Sequence, residues 1–300
     1  MKNFIFKILL LIVFLLIIDK SIGIIFQFMQ HHSKGGDTGR MEYIVNRMNQ
    51  DILIFGSSRA IHHYNPQIIE DSLQMSCYNC GKDGHGIIFS YGMYRLFKDR
   101  YVPKAIIYDV IDIFDLINED NNEKYLDELR YYYNKPGIDS IFINVDKNEK
   151  YKMISQMRRY NYKFIQVASD YISPKQQDIK GYRPLEGTIK YKPIKNNNSN
   201  KSIQYDNFKL EYFKLFIKDC KEKGTKLIFM VSPQYKGEKK QSYEAIIQLA
   251  KEENIPFFDH YNDNEISSNK KYFKDSMHLN KYGAEKYTKK IINEIKSYLK

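Results

Sequence analysis

Hydrophobic and polar residues alternate in different rhythms along the chain, and each rhythm predicts a different element. From Phe4 to Ile18 every residue is apolar except Lys7, and after Asp19 and Lys20 a second apolar run continues from Ile22 to Met29. A helix rising 1.5 Å per residue needs roughly 20 residues to cross a hydrocarbon core, so residues 1–30 read as an uncleaved transmembrane anchor. The pair Asp19 and Lys20 is costly in lipid and belongs near an interface. Ser21-Ile22-Gly23 is the nearest approach to a signal-peptidase site, and a signal sequence over Lys7 to Ile18 is the other reading.

Beyond a juxtamembrane segment, 31–50, the rhythm changes. Asp51 to Gly56 forms a short continuous apolar run closed by glycine, the pattern of a strand buried on both faces. Similar runs recur at Met75 to Asn79, Ala105 to Val110, Leu227 to Val231 and Ile255 to Asp259. Between them lie helical periodicities. Phe213, Phe216, Ile217 and Cys220 share a face after a cap at Asp206 or Asn207, and Gly224 ends that helix. Ala284, Tyr287, Ile291, Ile295 and Tyr298 do the same near the C-terminus. Strands alternating with helices predict a flavodoxin-like three-layer α/β/α sandwich on a central parallel sheet of order 2-1-3-4-5, spanning residues 51–300. Ligands in such sheets bind beyond the carboxyl ends of the strands.

An insertion at about 113–205 breaks the alternation. It carries Tyr131-Tyr132-Tyr133, Arg158-Arg159-Tyr160, Gly181-Tyr182-Arg183-Pro184 and the polar run Asn196 to Asn200. A Tyr- and Arg-rich excursion of this kind either shapes a polar or carbohydrate pocket or decorates the surface.

Composition narrows the classes. Gly (15) and Pro (8) are too scarce for a fibrous or disordered chain, and 43% hydrophobic residues suffice for one sizeable core. The net charge of +11 comes from Lys scattered among Asp, Glu and Asn. That distribution argues against nucleic acid as a partner and for anionic headgroups or an acidic envelope. Three cysteines, Cys77, Cys80 and Cys220, are too few for a disulfide framework, and the first two read as small half-buried side chains. The pairs His31-His32 and His62-His63 lack Cys, Asp or Glu at ligand spacing, so neither a metal nor another cofactor is expected.

Two short motifs carry chemistry. At Gly56-Ser57-Ser58-Arg59 a hydroxyl sits where the first strand turns into a helix, beside free backbone N–H groups and the positive end of the helix dipole. Near the other end, Asp275 and His278 stand three apart just ahead of the last helix, and in one tight turn a carboxylate and an imidazole at that spacing can meet. Arg59 can meet an acidic substrate or buttress the strand-helix turn. His85, like Lys82, lies near the segment after the second strand and is a candidate for substrate contact.

Together these motifs resemble the SGNH/GDSL hydrolases. Gly56-Ser57-Ser58 matches the family's first block, which implies Ser58 as nucleophile. Asp275 through His278-Leu279-Asn280 and Gly283-Ala284 matches its last block, implying His278 as general base and acid with Asp275 orienting it. Tyr78-Asn79-Cys80-Gly81-Lys82-Asp83-Gly84 resembles the second block, whose glycine gives a backbone N–H to the oxyanion hole; Gly84 is the better match and Gly81 the alternative. The third block departs: Asp112 stands nearest the expected Asn, and an ionised Asp donates no hydrogen bond to an oxyanion. That leaves Ser58 and Gly84 as oxyanion donors, with Asn79 assisting.

The anchor and the Gly-Ser-Ser variant resemble membrane-bound envelope members of the family, such as the alginate O-acetylation proteins and the D-alanyl transfer proteins of teichoic-acid operons. This resemblance implies an extracytoplasmic hydrolase or O-acyltransferase working on an acylated cell-envelope glycan or small ester, beside a membrane-bound acyl-transfer partner. A non-catalytic glycan-binding or assembly protein on the same fold is the alternative, and the altered third block is its best argument.

Overall fold

In the computed structural model, residues 1–118, 121–160, 163–175, 178–190, 203–236 and 241–299 are described. The expected run Asn196 to Asn200 lies outside them. In chain order the helices and strands are α1 (Lys2–His32), α2 (Gly36–Asn46), β1 (Ile52–Gly56), α3 (Ser58–His63), α4 (Pro66–Leu73), β2 (Cys77–Asn79), α5 (Ile87–Phe97) and β3 (Ala105–Asp109). There follow α6 (Asp112–Asp115), α7 (Ile138–Val145), α8 (Glu149–Lys152), α9 (Gln156–Tyr160), α10 (Phe164–Ile172), α11 (Asn207–Lys223), β4 (Lys226–Val231), α12 (Glu244–Glu252), β5 (Phe257–Asp259) and α13 (Lys281–Leu299). A 3-10 helix covers Asn122–Tyr132.

The chain divides into two compact units. One comprises residues 49–94, 98–121 and 178–300 and holds the sheet. Its strands lie in the order β2-β1-β3-β4-β5, all pairs parallel, as the sequence predicts. Alternation along β1 sorts the two faces. Ile52 and Ile54 join Ile107, Ile228 and Met230 under α13, whose Ala284, Tyr287, Ile291 and Ile295 are buried. Phe55 turns the other way onto Phe216 of α11, where Phe213 packs on Tyr108 and Phe229. Asp206 caps α11 by accepting from the Phe208 and Lys209 amides, and Gly224 closes it in the left-handed conformation.

The second unit comprises residues 1–48, 95–97 and 122–177. Two expectations change here. α1 runs on to His32, past the expected boundary at 30, and α2, within the expected juxtamembrane segment, is mostly buried within the same unit. Residues 122–177 of the expected insertion belong to this unit, and the chain returns to the sheet-bearing unit at 178. Its core is partly polar. The buried Glu42 accepts from Gln30 (2.6 Å), Tyr132 (2.7 Å), Asn46 (2.8 Å) and His31 (2.9 Å), so its carboxylate is satisfied without solvent. Tyr160 donates to Gln30 and stacks on Tyr131. The tyrosines of Tyr131-Tyr132-Tyr133 and Arg158-Arg159-Tyr160 thus contribute to this unit's interior.

Gly56 is a position of the sheet-bearing unit that admits no side chain without strain. Its φ of +130° is one that L side chains rarely adopt, and a Cβ there would stand 2.5 Å from the Asp109 carbonyl oxygen. Gly56→Ala should therefore cost about 1–3 kcal/mol in backbone strain alone, with the clash added. In urea unfolding this appears as a lowered midpoint at unchanged slope.

Candidate active site

The buried run of β1 delivers Ser58 to the carboxyl edge of the sheet as the first residue of α3. From the far end of the chain, Asp275 folds a tight turn by accepting from the amides of Met277 (2.8 Å) and His278 (2.9 Å). An isolated bridge between Phe273 and Leu279 closes that turn. Within it, His278 Nδ1 lies 2.9 and 3.0 Å from the Asp275 carboxylate oxygens, and His278 Nε2 lies 2.8 Å from Ser58 Oγ. Burial alone would raise the Asp275 carboxyl, but the hydrogen bond and charge of His278 and the two turn amides hold it below the usual carboxylate range. The arrangement is a hydroxyl, an imidazole and an ionised carboxylate in line.

Behind the turn stands a residue that the sequence reading set aside. His63 is completely buried; its Nε2 accepts from the Leu279 amide (2.9 Å) and its Nδ1 faces Ser232 Oγ (2.8 Å). Because an amide can only donate, Nε2 must be bare and the proton sits on Nδ1, donated to Ser232. Ser232 passes its own hydroxyl proton to Asp109 Oδ2 and its amide to Asp109 Oδ1 (3.1 Å). Burial, then the neighbouring charges of His278, Arg59 and His62, push His63 well below the usual imidazole range, so it stays neutral. A fixed, neutral imidazole thus holds the residue next to His278. Its position five residues after Ser58, on the same short helix, was the available signal.

Of the two roles open to Arg59, its contacts are those of a buttress. It is buried, donates to the carbonyls of Val110 and Ser232 and to Tyr243, and lies 3.7 Å from Asp109. Asn79 is corrected. Its side-chain amide gives its hydrogens to the carbonyls of Ala60 (2.7 Å) and Tyr64 (3.0 Å), and its oxygen accepts from the Gly81 amide (3.0 Å). Asn79 therefore fastens β2 to α3 instead of facing an oxyanion, and Gly81 has its N–H engaged.

Gly84 adopts a φ of +70° in the turn after β2. That turn is tied to α3 through Asp83, whose carboxylate meets His62 Nε2 at 3.0 Å, and the His62 ring stands edge-on to His278 at 5.7 Å between centroids. His62 Nδ1 lies 2.7 Å from the Arg183 carbonyl, so the Gly181-Tyr182-Arg183 motif packs against the site. His85 is half-buried and lies 2.7 Å from the Asp83 carbonyl through Nδ1. Cys77 and Cys80 are fully buried, not half-buried, and burial pushes the Cys77 thiol up.

At the third strand end, Asp112 accepts from Ser242 Oγ (2.8 Å) and from the Ile113 amide (3.0 Å). It is a turn-fixing carboxylate. Nearby Asp115 takes the Tyr108 hydroxyl (2.7 Å) and the Ile111 amide (2.8 Å), and burial pushes its carboxyl up to about 7.

No family model matches the chain, and no curated protein does. Among solved structures, a crystal structure of a proposed acylhydrolase from Bacteroides fragilis aligns over 87% of this chain and 95% of its own, at 12% identity and a TM-score of 0.39. At that TM-score the similarity bears on neither substrate nor chemistry.

The neutrality of His63 sets a pH dependence. Below about pH 6.5 an unfolded chain protonates this imidazole while the folded one does not, so its contribution falls by about 1.4 kcal/mol per pH unit as pH drops. Asp115 acts in the opposite sense, since the folded chain holds that proton up to about pH 7. The difference between wild type and His63→Gln isolates the imidazole. Urea unfolding should show the variant weaker by about 1–3 kcal/mol at pH 7.5 and the gap closing toward pH 5.5.

Proposed function

We infer that this chain is a membrane-anchored serine esterase or O-acyltransferase of the SGNH/GDSL hydrolase type, acting outside the cytoplasm on acyl groups of a cell-envelope glycan. The contact that carries this reading is Ser58 Oγ to His278 Nε2 at 2.8 Å, with Asp275 on the opposite ring nitrogen. As Oγ attacks the acyl carbonyl, Nε2 takes its proton, and Asp275 holds the Nδ1–H tautomer and stabilises the imidazolium that forms. Collapse of the tetrahedral adduct expels the sugar hydroxyl, which leaves with the proton from Nε2. Water completes hydrolysis and a second hydroxyl completes transfer by the same steps in reverse.

The amides of Ser58 and Gly84 serve the oxyanion. Neither has an acceptor among the described residues. Asp112, committed to Ser242 and its own turn, supplies no third donor. Loss of one donor costs roughly 3–4 kcal/mol, or about 10² to 10³ in rate, so turnover is slow. The glycan substrate is supported by the envelope-type resemblance and by α1, long and apolar enough to cross a membrane.

The test is turnover of a small acetyl ester by the full chain in nanodiscs, with fluorophosphonate labelling alongside. Wild type should turn over slowly and label at Ser58. Ser58→Ala and Asp275→Asn should each lose about 10⁴-fold or fall to background, whereas Asp112→Asn holds or raises the rate. A wild-type chain that neither labels nor turns over, yet binds an envelope glycan, replaces the esterase with a binding protein.

A further inference from the structure

The exposed part of α1 is too short for the membrane it would cross. From Lys2 to Ile17 its residues are open to solvent, and protein contacts begin at Ile18 and Asp19. Lys2 to Ile18 rises about 25 Å, against a hydrocarbon core of about 30 Å. With Lys2 at one boundary, the other falls near Ser21, and any tilt moves it further along the helix. The first protein elements packed on α1 therefore meet the bilayer at the level where apolar surface is still required.

Contacts along α1 fix the height of each element. Asp19 accepts from Ser155 Oγ (2.7 Å) and from the amides of Gln156 (2.8 Å) and Met157 (2.9 Å), so this carboxylate caps α9 and its hydrogen bonds are met inside the protein. Gly23 abuts the side chain of Gln156. One turn higher, Phe26 stacks on Tyr160 and meets Phe164, and Phe28 meets Tyr171. At these heights large apolar side chains are exposed, interspersed with Lys20, Ser21, Gln27 and Ser169. Ile24 is 67% exposed, Ile154 70%, Ile165 69% and Ile172 74%, and Met157, Phe164 and Phe28 are also exposed. Tyr151 and Tyr171 add rings of the kind that settle at a headgroup boundary, and the exposed Lys20 can extend its ammonium outward.

We propose that Ile154, Met157, Phe164, Ile165 and Ile172, with Ile24, Ile25 and Phe28 of α1, form a collar that sits in the interfacial layer of the bilayer around the outer end of the span. Its occupant is lipid. The argument is continuity: the patch prolongs the apolar surface of α1 from the height at which the free helix runs out. Exposed patches of this size on a soluble surface mark a partner, and here the span itself brings one. The collar also disposes of Asp19. A carboxylate at that depth costs several kcal/mol unless it is paired, and the start of α9 supplies the donors. The proposal rests on the anchored reading of α1 given above.

The test reads depth. The full chain, one copy per nanodisc, carries an environment-sensitive fluorophore at a single introduced cysteine, Leu11→Cys, Met157→Cys, Ile165→Cys, Ile172→Cys or Lys289→Cys; the native cysteines are buried. Phosphatidylcholine brominated at defined acyl depths is the quencher. The collar predicts strong quenching at Leu11, then a graded loss, Met157 most, Ile165 less and Ile172 least, with Met157 losing roughly half its emission to shallow bromines. Lys289, exposed on α13, is the reference site in the sheet-bearing unit. Quenching at Leu11 with none at Met157 and Ile165 keeps the anchor and overturns the collar. Loss of quenching at Leu11 as well removes the anchored reading beneath both. If protection of Ile165 appears only in discs holding two copies, the patch is a protein interface and the proposal falls.

Discussion

The carboxyl edge of the sheet depends on one buried run of hydrogen bonds that starts at a backbone amide and ends at a guanidinium. Leu279 donates to His63, His63 to Ser232, Ser232 to Asp109, and Arg59 lies against Asp109 while binding the carbonyls that follow β3 and β4. Each member has its direction set by its neighbour, so the run admits a single arrangement of protons. It ties together the ends of β1, β3 and β4 and the turn that presents His278. Ser58 and His278, drawn from opposite ends of the chain, are held in place by a core that is polar yet satisfied.

This explains why polar residues expected to face a ligand face inward. Asn79 and Arg59 each stand close in sequence to a candidate site residue; Asn79 spends its donors on carbonyls at the end of α3, and Arg59 on carbonyls that follow β3 and β4. Such carbonyls lie too deep for water, and an unmet one costs about as much as a lost hydrogen bond. The neighbourhood of Ser58 is reinforced in this way. Proximity in sequence to Ser58 therefore marks support as readily as contact with a substrate.

The order of the parallel strands and the meeting of Ser58 with His278 were legible because each rests on a local signal: a short apolar run closed by a turn, and a carboxylate three residues from an imidazole. His62 and His63 were not, since they were weighed only as metal ligands and their partners lie in Asp83, Ser232 and Leu279, distant in sequence. The role of residues 122–177 was hidden for a related reason. Tyrosines and arginines look alike whether they line a pocket or fill a core, and only the convergence of Gln30, Asn46, Tyr132 and His31 on Glu42 reveals which.

That convergence bears on what α1 does in the folded chain. Gln30 and His31 sit at the end of the same helix whose earlier residue Asp19 caps α9, so the helix is a structural member along its whole second half. Without the residues that precede Gly23, the amides of Gln156 and Met157 would lose the carboxylate that accepts from them. A chain lacking those residues would keep every segment of the sheet-bearing unit but lose a strut of the unit formed with residues 122–177.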